Sequence, residues 1–370
     1  MTNHDHFLRL TQPQISGLHP YIPGKPISEL ERELGLSGTI KLASNENPLG
    51  CGPLAQAAYQ AATAELHRYP DGGGFALRQA IAKAHGVDAA MVTLGNGSND
   101  VLDLIARVFL GPDCEAVFSQ YAFAVYPIST QAVGAKACIA PAQEFGHDLN
   151  AMRELITERT RVVWIANPNN PTGTWLPADT LKAFIADLPD TCLCVLDEAY
   201  AEYVEEPDYP NGIAWLDQFP NLIITRTFAK VHGLAALRIG YGLCHPELAA
   251  LLNRMRQPFN VNAPAQAAAC AALADQTHIQ RSVAHNRHER ARLGAGLQEL
   301  GLRFIPSVGN FVTVDFARPA AAIDQALLKA GIICRPIANY GLPNHLRITV
   351  GLETENDRLL SALAQVLAGD

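Results

Sequence analysis

A regular alternation between short apolar runs and helical stretches, from about residue 75 to residue 245, limits this chain to few folds. The apolar runs are MVTLG (91–95), EAVFS (115–119), AKACIA (135–140), RVVWIA (161–166), CLCVLD (192–197), LIITR (222–226) and RIGYGL (238–243). They are strand-length and largely apolar, the pattern of strands covered on both faces. Helical stretches alternate with them: FALRQAIAKAHG, with Gly86 as its stop, precedes the first run, and SNDVLDLIARVFLG, from Ser98 to Gly111, separates the first two. Strands that alternate with helices are joined by crossovers, so an α/β fold with a large, mostly parallel seven-stranded sheet is expected. Its functional site should lie beyond the carboxyl ends of the strands.

The flanks differ in texture. Pro13, Pro20, Pro23 and Pro26 predict an extended N-terminal arm before a short helix, ISELERELG. After residue 245 come long Ala/Leu/Arg-rich helices, then RFIPS, NFVTVDF and LRITVG, which read as a smaller α+β domain. The expected division is an arm and short helix over 1–45, a large α/β domain over 46–255 and a small C-terminal domain over 256–370. With 48% hydrophobic residues the chain can bury a sizeable core.

The net charge of -8 argues against a nucleic-acid groove, so any anionic ligand must be held by a few placed cations. The N-terminus lacks a basic segment followed by an apolar one, and no apolar run is long enough to span a bilayer, so a cytoplasmic protein without membrane contact is expected. Eight cysteines are scattered without a CxxC pair; Cys192 and Cys194 should share one face of a buried strand. They read as reduced core residues, and no coherent metal-ligand set is present.

Only seven lysines occur, and Lys83, Lys182 and Lys329 fall in helical patterns. Lys230 instead follows the strand LIITR, where burial would lower its pKa and free the amine for Schiff-base chemistry. Asp197 closes a very apolar strand, and a carboxylate there needs a partner, such as a protonated pyridine nitrogen or a helix cap. Tyr200 follows it three residues on. The turn TLGNGSND offers backbone N–H groups around Ser98 and Asn99 as a phosphate cradle, and Arg238 could bond the same phosphate. In NPNNPTG, two prolines impose an irregular backbone that would hold Asn170 rigidly.

In order along the chain, SNENPLG, RYPDGGG, NGSND, NPNNPTG, DEAY, TFAK-x7-R and LRITVG resemble the fold type I, aspartate-aminotransferase-like pyridoxal-phosphate (PLP) enzymes over nearly the whole length. Within that superfamily SNENPLG, RYPDGGG and LRITVG resemble the histidinol-phosphate aminotransferase family most closely. The resemblance implies PLP as cofactor, with Lys230 as both its Schiff-base lysine and the proton-moving base. It implies Asp197 on the pyridine nitrogen, Asn170 and Tyr200 on the phenolic oxygen, and Phe123 stacked on the ring. Ser98, Asn99, Thr227 and Arg238 would hold the cofactor phosphate, and Tyr69 would reach the phosphate of a partner subunit in a homodimer. Arg347 would fork onto a substrate carboxylate, and Tyr21 and Arg335 would receive a substrate phosphate. Asn47, in SNENPLG, is a further expected substrate contact.

The implied reaction is amino transfer between L-histidinol phosphate and 2-oxoglutarate, with glutamate as the amino donor in the biosynthetic direction; an aromatic aminotransferase is the alternative. One departure is Ala229, where many relatives carry serine; the missing hydrogen bond should cost about 1–2 kcal/mol. A Rossmann oxidoreductase would need a third glycine that GNGSND lacks, and the short proline-rich N-terminus leaves no room for a DNA-binding module.

Overall fold

The computed structural model describes residues 3–369. Seven strands form the large sheet, in the order Val92–Gly95, Gly240–Cys244, Leu222–Thr227, Leu193–Asp197, Thr160–Ala166, Glu115–Ser119 and Lys136–Ala140. All neighbouring pairs are parallel except those of Gly240–Cys244, which runs antiparallel to both of its neighbours. The strands match the apolar runs to within a residue or two. Arg238 is the exception that matters. It lies outside the strand, in a left-handed backbone at φ 52, two residues before Gly240.

Both faces of the sheet are covered. Phe184, Ile185, Cys192, Cys194 and Leu196 join the core on one face, and Trp164, Val195 and Ile223 join the core on the other. Cys192 and Cys194 therefore do share a face, and burial raises both thiols well above their ordinary value. The cysteines are all free.

Helix Ala263–Ala274 was expected beyond the large domain, yet its Ala265, Ala268, Ala269 and Ala272 pack into the large-sheet core. Its run of alanines explains this, because small side chains let the helix approach Pro53–Ala62 closely. Helix Gln276–Glu299 then leads into the smaller unit, an antiparallel sheet ordered Arg303–Ile305, Phe311–Asp315, His345–Thr349, Arg335–Pro336. The N-terminal segment completes that unit: Ile40–Lys41 pairs in parallel with Ile332–Ile333, and Leu42 enters its core.

The arm is not wholly extended. It carries a helix at Asn3–Leu8 and a 3-10 turn at Pro13–Ile15 before the helix Ile27–Leu34. Proline suits the first turn of a helix, so Pro13 opens the turn instead of preventing it. Among the described residues no helix is long and apolar enough to cross a membrane, and no cluster of His, Cys, Asp or Glu could hold a metal ion.

Candidate active site

A cavity of about 170 Å³ opens at the carboxyl ends of the central strands, where the small sheet and the chain's N-terminal segment close over them. Ala166, Asp197 and Thr227 end three adjacent strands beneath it, and Ser98 and Asn99 begin the helix that follows Val92–Gly95. Phe123, Asn170, Tyr200, Lys230, Arg238, Tyr21, Arg335 and Arg347 complete the expected lining.

Asp197 is 5% exposed, and burial pushes its carboxyl up to about 6. Three donors oppose that shift: the Tyr126 hydroxyl donates to Oδ2 at 3.0 Å, the Thr225 hydroxyl to Oδ1 at 3.0 Å, and the Ala199 backbone N–H adds a third bond. Thr225 is Asp197's register partner on the neighbouring strand, so sheet pairing delivers it. Lys230 donates from Nζ to the Ser44 carbonyl at 3.2 Å and lies over the Tyr200 ring. Burial first, and then the nearby Arg347 charge, pull its amine down to about 8.

The anion cradle follows from close packing. Gly97 sits at φ 84, and a Cβ there would come 2.5 Å from Nη2 of Arg238, so glycine lets the guanidinium lie against the turn. Backbone N–H groups at the start of helix Ser98–Phe109 point to the same place, where the helix dipole favours an anion. The Thr227 hydroxyl accepts from the Ala229 N–H at 3.1 Å, which leaves its own proton free to donate.

Arg335 and Arg347 face each other as register partners on adjacent strands, and both are buried. Like charges directly opposite in a sheet repel, yet neither guanidinium meets a carboxylate among the described residues. Arg335 Nη2 donates to the Ile22 carbonyl at 2.6 Å and stacks on Tyr21. Arg347 donates to Asn170 Oδ1 at 2.5 Å and to the Ala43 carbonyl at 2.8 Å, while its Nε stays unpartnered.

Two expected residues lie elsewhere. The Asn47 amide is committed to the Val231 carbonyl at 2.8 Å and to Ser282 at 2.9 Å, outside the cavity; Asn45 lines it instead. Tyr69 is 83% exposed and stacked on Phe259, on the outer surface of its own chain.

The matching family model is "Aminotransferase class I and II", over residues 37–363. The chain belongs to this family. As a class I and II aminotransferase it is 58% identical, over 98% of both chains, to histidinol-phosphate aminotransferase 2 of Pseudomonas fluorescens. It is 56% identical to the Pseudomonas aeruginosa protein of the same name, over 98% of this chain and 99% of that one. A crystal structure of histidinol-phosphate aminotransferase from Sinorhizobium meliloti, in complex with pyridoxal-5'-phosphate, superposes with TM-score 0.89 at 31% identity, over 97% and 98% of the two chains. Aspartate aminotransferase of Thermus thermophilus shares the fold, with TM-score 0.83 at 22% identity over 96% and 99%. The aminotransferase fold is therefore that of the fold type I enzymes.

Proposed function

We propose that this aminotransferase uses pyridoxal phosphate to move an amino group between L-histidinol phosphate and 2-oxoglutarate. The observation that carries the substrate assignment is the in-register pair Arg335 and Arg347, two buried cations facing one cavity without a carboxylate partner. Such a pair suits a doubly charged anion, and a phosphate monoester or a dicarboxylic acid supplies one. The 58% identity to a histidinol-phosphate aminotransferase supports the phosphate ester.

The lining also suits the cofactor: a buried carboxylate, a buried amine and a helix-start anion cradle share one small cavity. Pyridoxal phosphate, when bound, supplies a ring that accepts electrons from the substrate's α-carbon. Asp197 keeps the ring nitrogen protonated, and Tyr126 and Thr225 keep Asp197 ionised while it does so. Ser98, Asn99, Thr227 and Arg238 hold the cofactor phosphate, with no contribution from Ala229. Phe123, Asn170 and Tyr200 line the same cavity; Phe123 would cover the ring, and Asn170 and Tyr200 would address its oxygen.

Lys230 has two tasks: its amine would hold the cofactor, and it would move the proton at the substrate's α-carbon. A pKa pulled to about 8 lets that amine exist unprotonated near neutrality and still accept a proton. Arg347 and Arg335 orient the substrate so that its α-proton faces Lys230, and Tyr21 with the arm closes over the site against water. Two subunits complete the sites in this reading, Tyr69 of each reaching the other's cofactor phosphate, and the enzyme works in the cytoplasm.

The test is a half-reaction. The cofactor-loaded protein is mixed with L-histidinol phosphate without a keto acid, and its visible absorption is followed. Bleaching at micromolar substrate, with phenylalanine and tyrosine far weaker, supports the assignment. Bleaching by aromatic amino acids alone replaces the substrate, and a protein that takes up no cofactor overturns the whole reading.

A further inference from the structure

We infer that Asn45 is a positioning residue that fixes the direction of the Tyr200 hydroxyl, through a one-way hydrogen-bond chain anchored on the small domain at Thr349. The inference rests on the cofactor reading above and goes beyond it by assigning work to residues outside the expected site set.

Asn45 has a left-handed backbone, φ 54, which asparagine tolerates better than most residues. Three contacts hold it there: its N–H donates to Thr349 Oγ1 at 2.9 Å, its carbonyl accepts from Asn310 Nδ2 at 3.0 Å, and its Oδ1 lies 3.3 Å from the Thr349 hydroxyl. Thr349 Oγ1 accepts from the Asn45 backbone, so its own proton is available to Asn45 Oδ1. With the amide reversed, the buried Thr349 proton would have no acceptor among the described residues, so it is Oδ1 that faces Thr349. Nδ2 must then face Tyr200, to whose hydroxyl oxygen it donates at 2.9 Å.

An amide N–H can only donate, so Tyr200 accepts from Asn45 and must send its own proton elsewhere. Among the described residues that proton meets no acceptor, and Tyr200 lines the cavity. The chain therefore aims an O–H donor at the cofactor's ring oxygen before any ligand arrives, which is electrostatic preorganisation. Thr349 lies on the small domain's sheet, paired with Phe311, whereas Tyr200 closes the DEAY segment, three residues after the end of the large-sheet strand Leu193–Asp197. The chain thus links the register of the two units to one hydroxyl. The charged and titratable groups near Tyr200 are Lys230, Arg347 and Asp197, together with the Tyr126 and Tyr203 hydroxyls.

The test uses full-length protein loaded with pyridoxal phosphate, and reads the pH midpoint of its visible absorption change. Asn45→Asp places acceptor-only oxygens against Tyr200 and turns its proton away from the cavity. A donor on the ring oxygen favours its ionised form, so losing it should raise the midpoint by about one pH unit. Tyr200→Phe should raise it in the same direction, and the double variant by no more than Tyr200→Phe alone. Additive shifts in the double variant would mean that the new charge acts directly on the ring, and would overturn the relay. An Asn45→Asp midpoint equal to wild type, with Tyr200→Phe shifted, overturns Asn45's role and spares the cofactor reading. No shift in Tyr200→Phe overturns the relay at its last link. A wild type that never develops visible absorption overturns the cofactor reading and the relay together. Thr349→Val, which adds no charge, should give a smaller rise in the same direction and serves if Asn45→Asp does not fold.

Discussion

The Tyr126 hydroxyl donates to Oδ2 of Asp197 across 3.0 Å, while its ring stacks on Trp164 at 5.3 Å between centroids and 8° between planes. Stacking fixes the ring, so the hydroxyl has little freedom to leave the carboxylate. Tyr126→Phe keeps the stack and deletes the donor. Hydrogen bonds to charged groups contribute about 1.5–3 kcal/mol, so kcat/KM should fall roughly 10- to 100-fold. Steady-state kinetics check this.

Asp197 itself should carry a stability penalty. Burial raises its pKa to about 6, so the cofactor-free native state binds this proton more tightly than the unfolded chain does. Stability from this group is therefore present at low pH and is lost as pH rises from the ordinary carboxylate range through about 6. Without cofactor, Asp197→Asn should be more stable than its parent at about pH 8, by up to about 3 kcal/mol, with the gap closing near pH 4. The same substitution should lower turnover at least ~100-fold, because a neutral amide cannot hold the ring nitrogen protonated. Melts of cofactor-free protein across that range decide the sign.

Arg335 should select the phosphate. Its guanidinium, in register with Arg347, also ties down the arm at Ile22 and stacks on Tyr21. Arg335→Leu should raise KM for histidinol phosphate by about 100-fold, as expected for losing a charge-assisted contact. Activity toward unphosphorylated histidinol should change by less than about threefold. A comparison of the two donors reads this directly, and equal losses on both would assign Arg335 to the arm alone.

Sites shared between two subunits, as proposed, would allow complementation. Lys230→Ala should abolish turnover, and Tyr69→Ala should weaken cofactor binding from the partner's side. Mixing the two variants after reversible dissociation gives heterodimers with one intact site, and about a quarter of wild-type activity if exchange is random. Activity no greater than that of the separate variants would place Tyr69 outside the neighbouring site.

Much of this molecule was legible because its sheet is buried on both faces. A strand that must be apolar throughout makes a terminal Asp197 or a following Lys230 conspicuous, since a charge there needs a compensating function. The sequence by itself thus determined the seven strands and marked Asp197 and Lys230, which the structure brings into one cavity at the strand ends. Helix Ala263–Ala274 was harder to assign, because all-alanine packing surfaces carry almost no periodic signal.

Only tertiary structure chose between Asn45 and Asn47. The two identical side chains stand two residues apart in SNENPLG, and their fates depend on distant partners: Thr349 and Tyr200 for one, Val231 and Ser282 for the other. Tyr126 was hidden in the apolar-looking YAFAVY, and Thr225 in LIITR, because what they meet is set by strand register and helix placement. The same holds for Arg335 and Arg347: each was visible singly, but their opposition follows from the pairing of two strands ten residues apart in sequence. Local chemistry marks which residues cannot be idle, whereas long-range pairing decides what they face, since hydrogen bonds between side chains form only after the backbone has closed the loops between them.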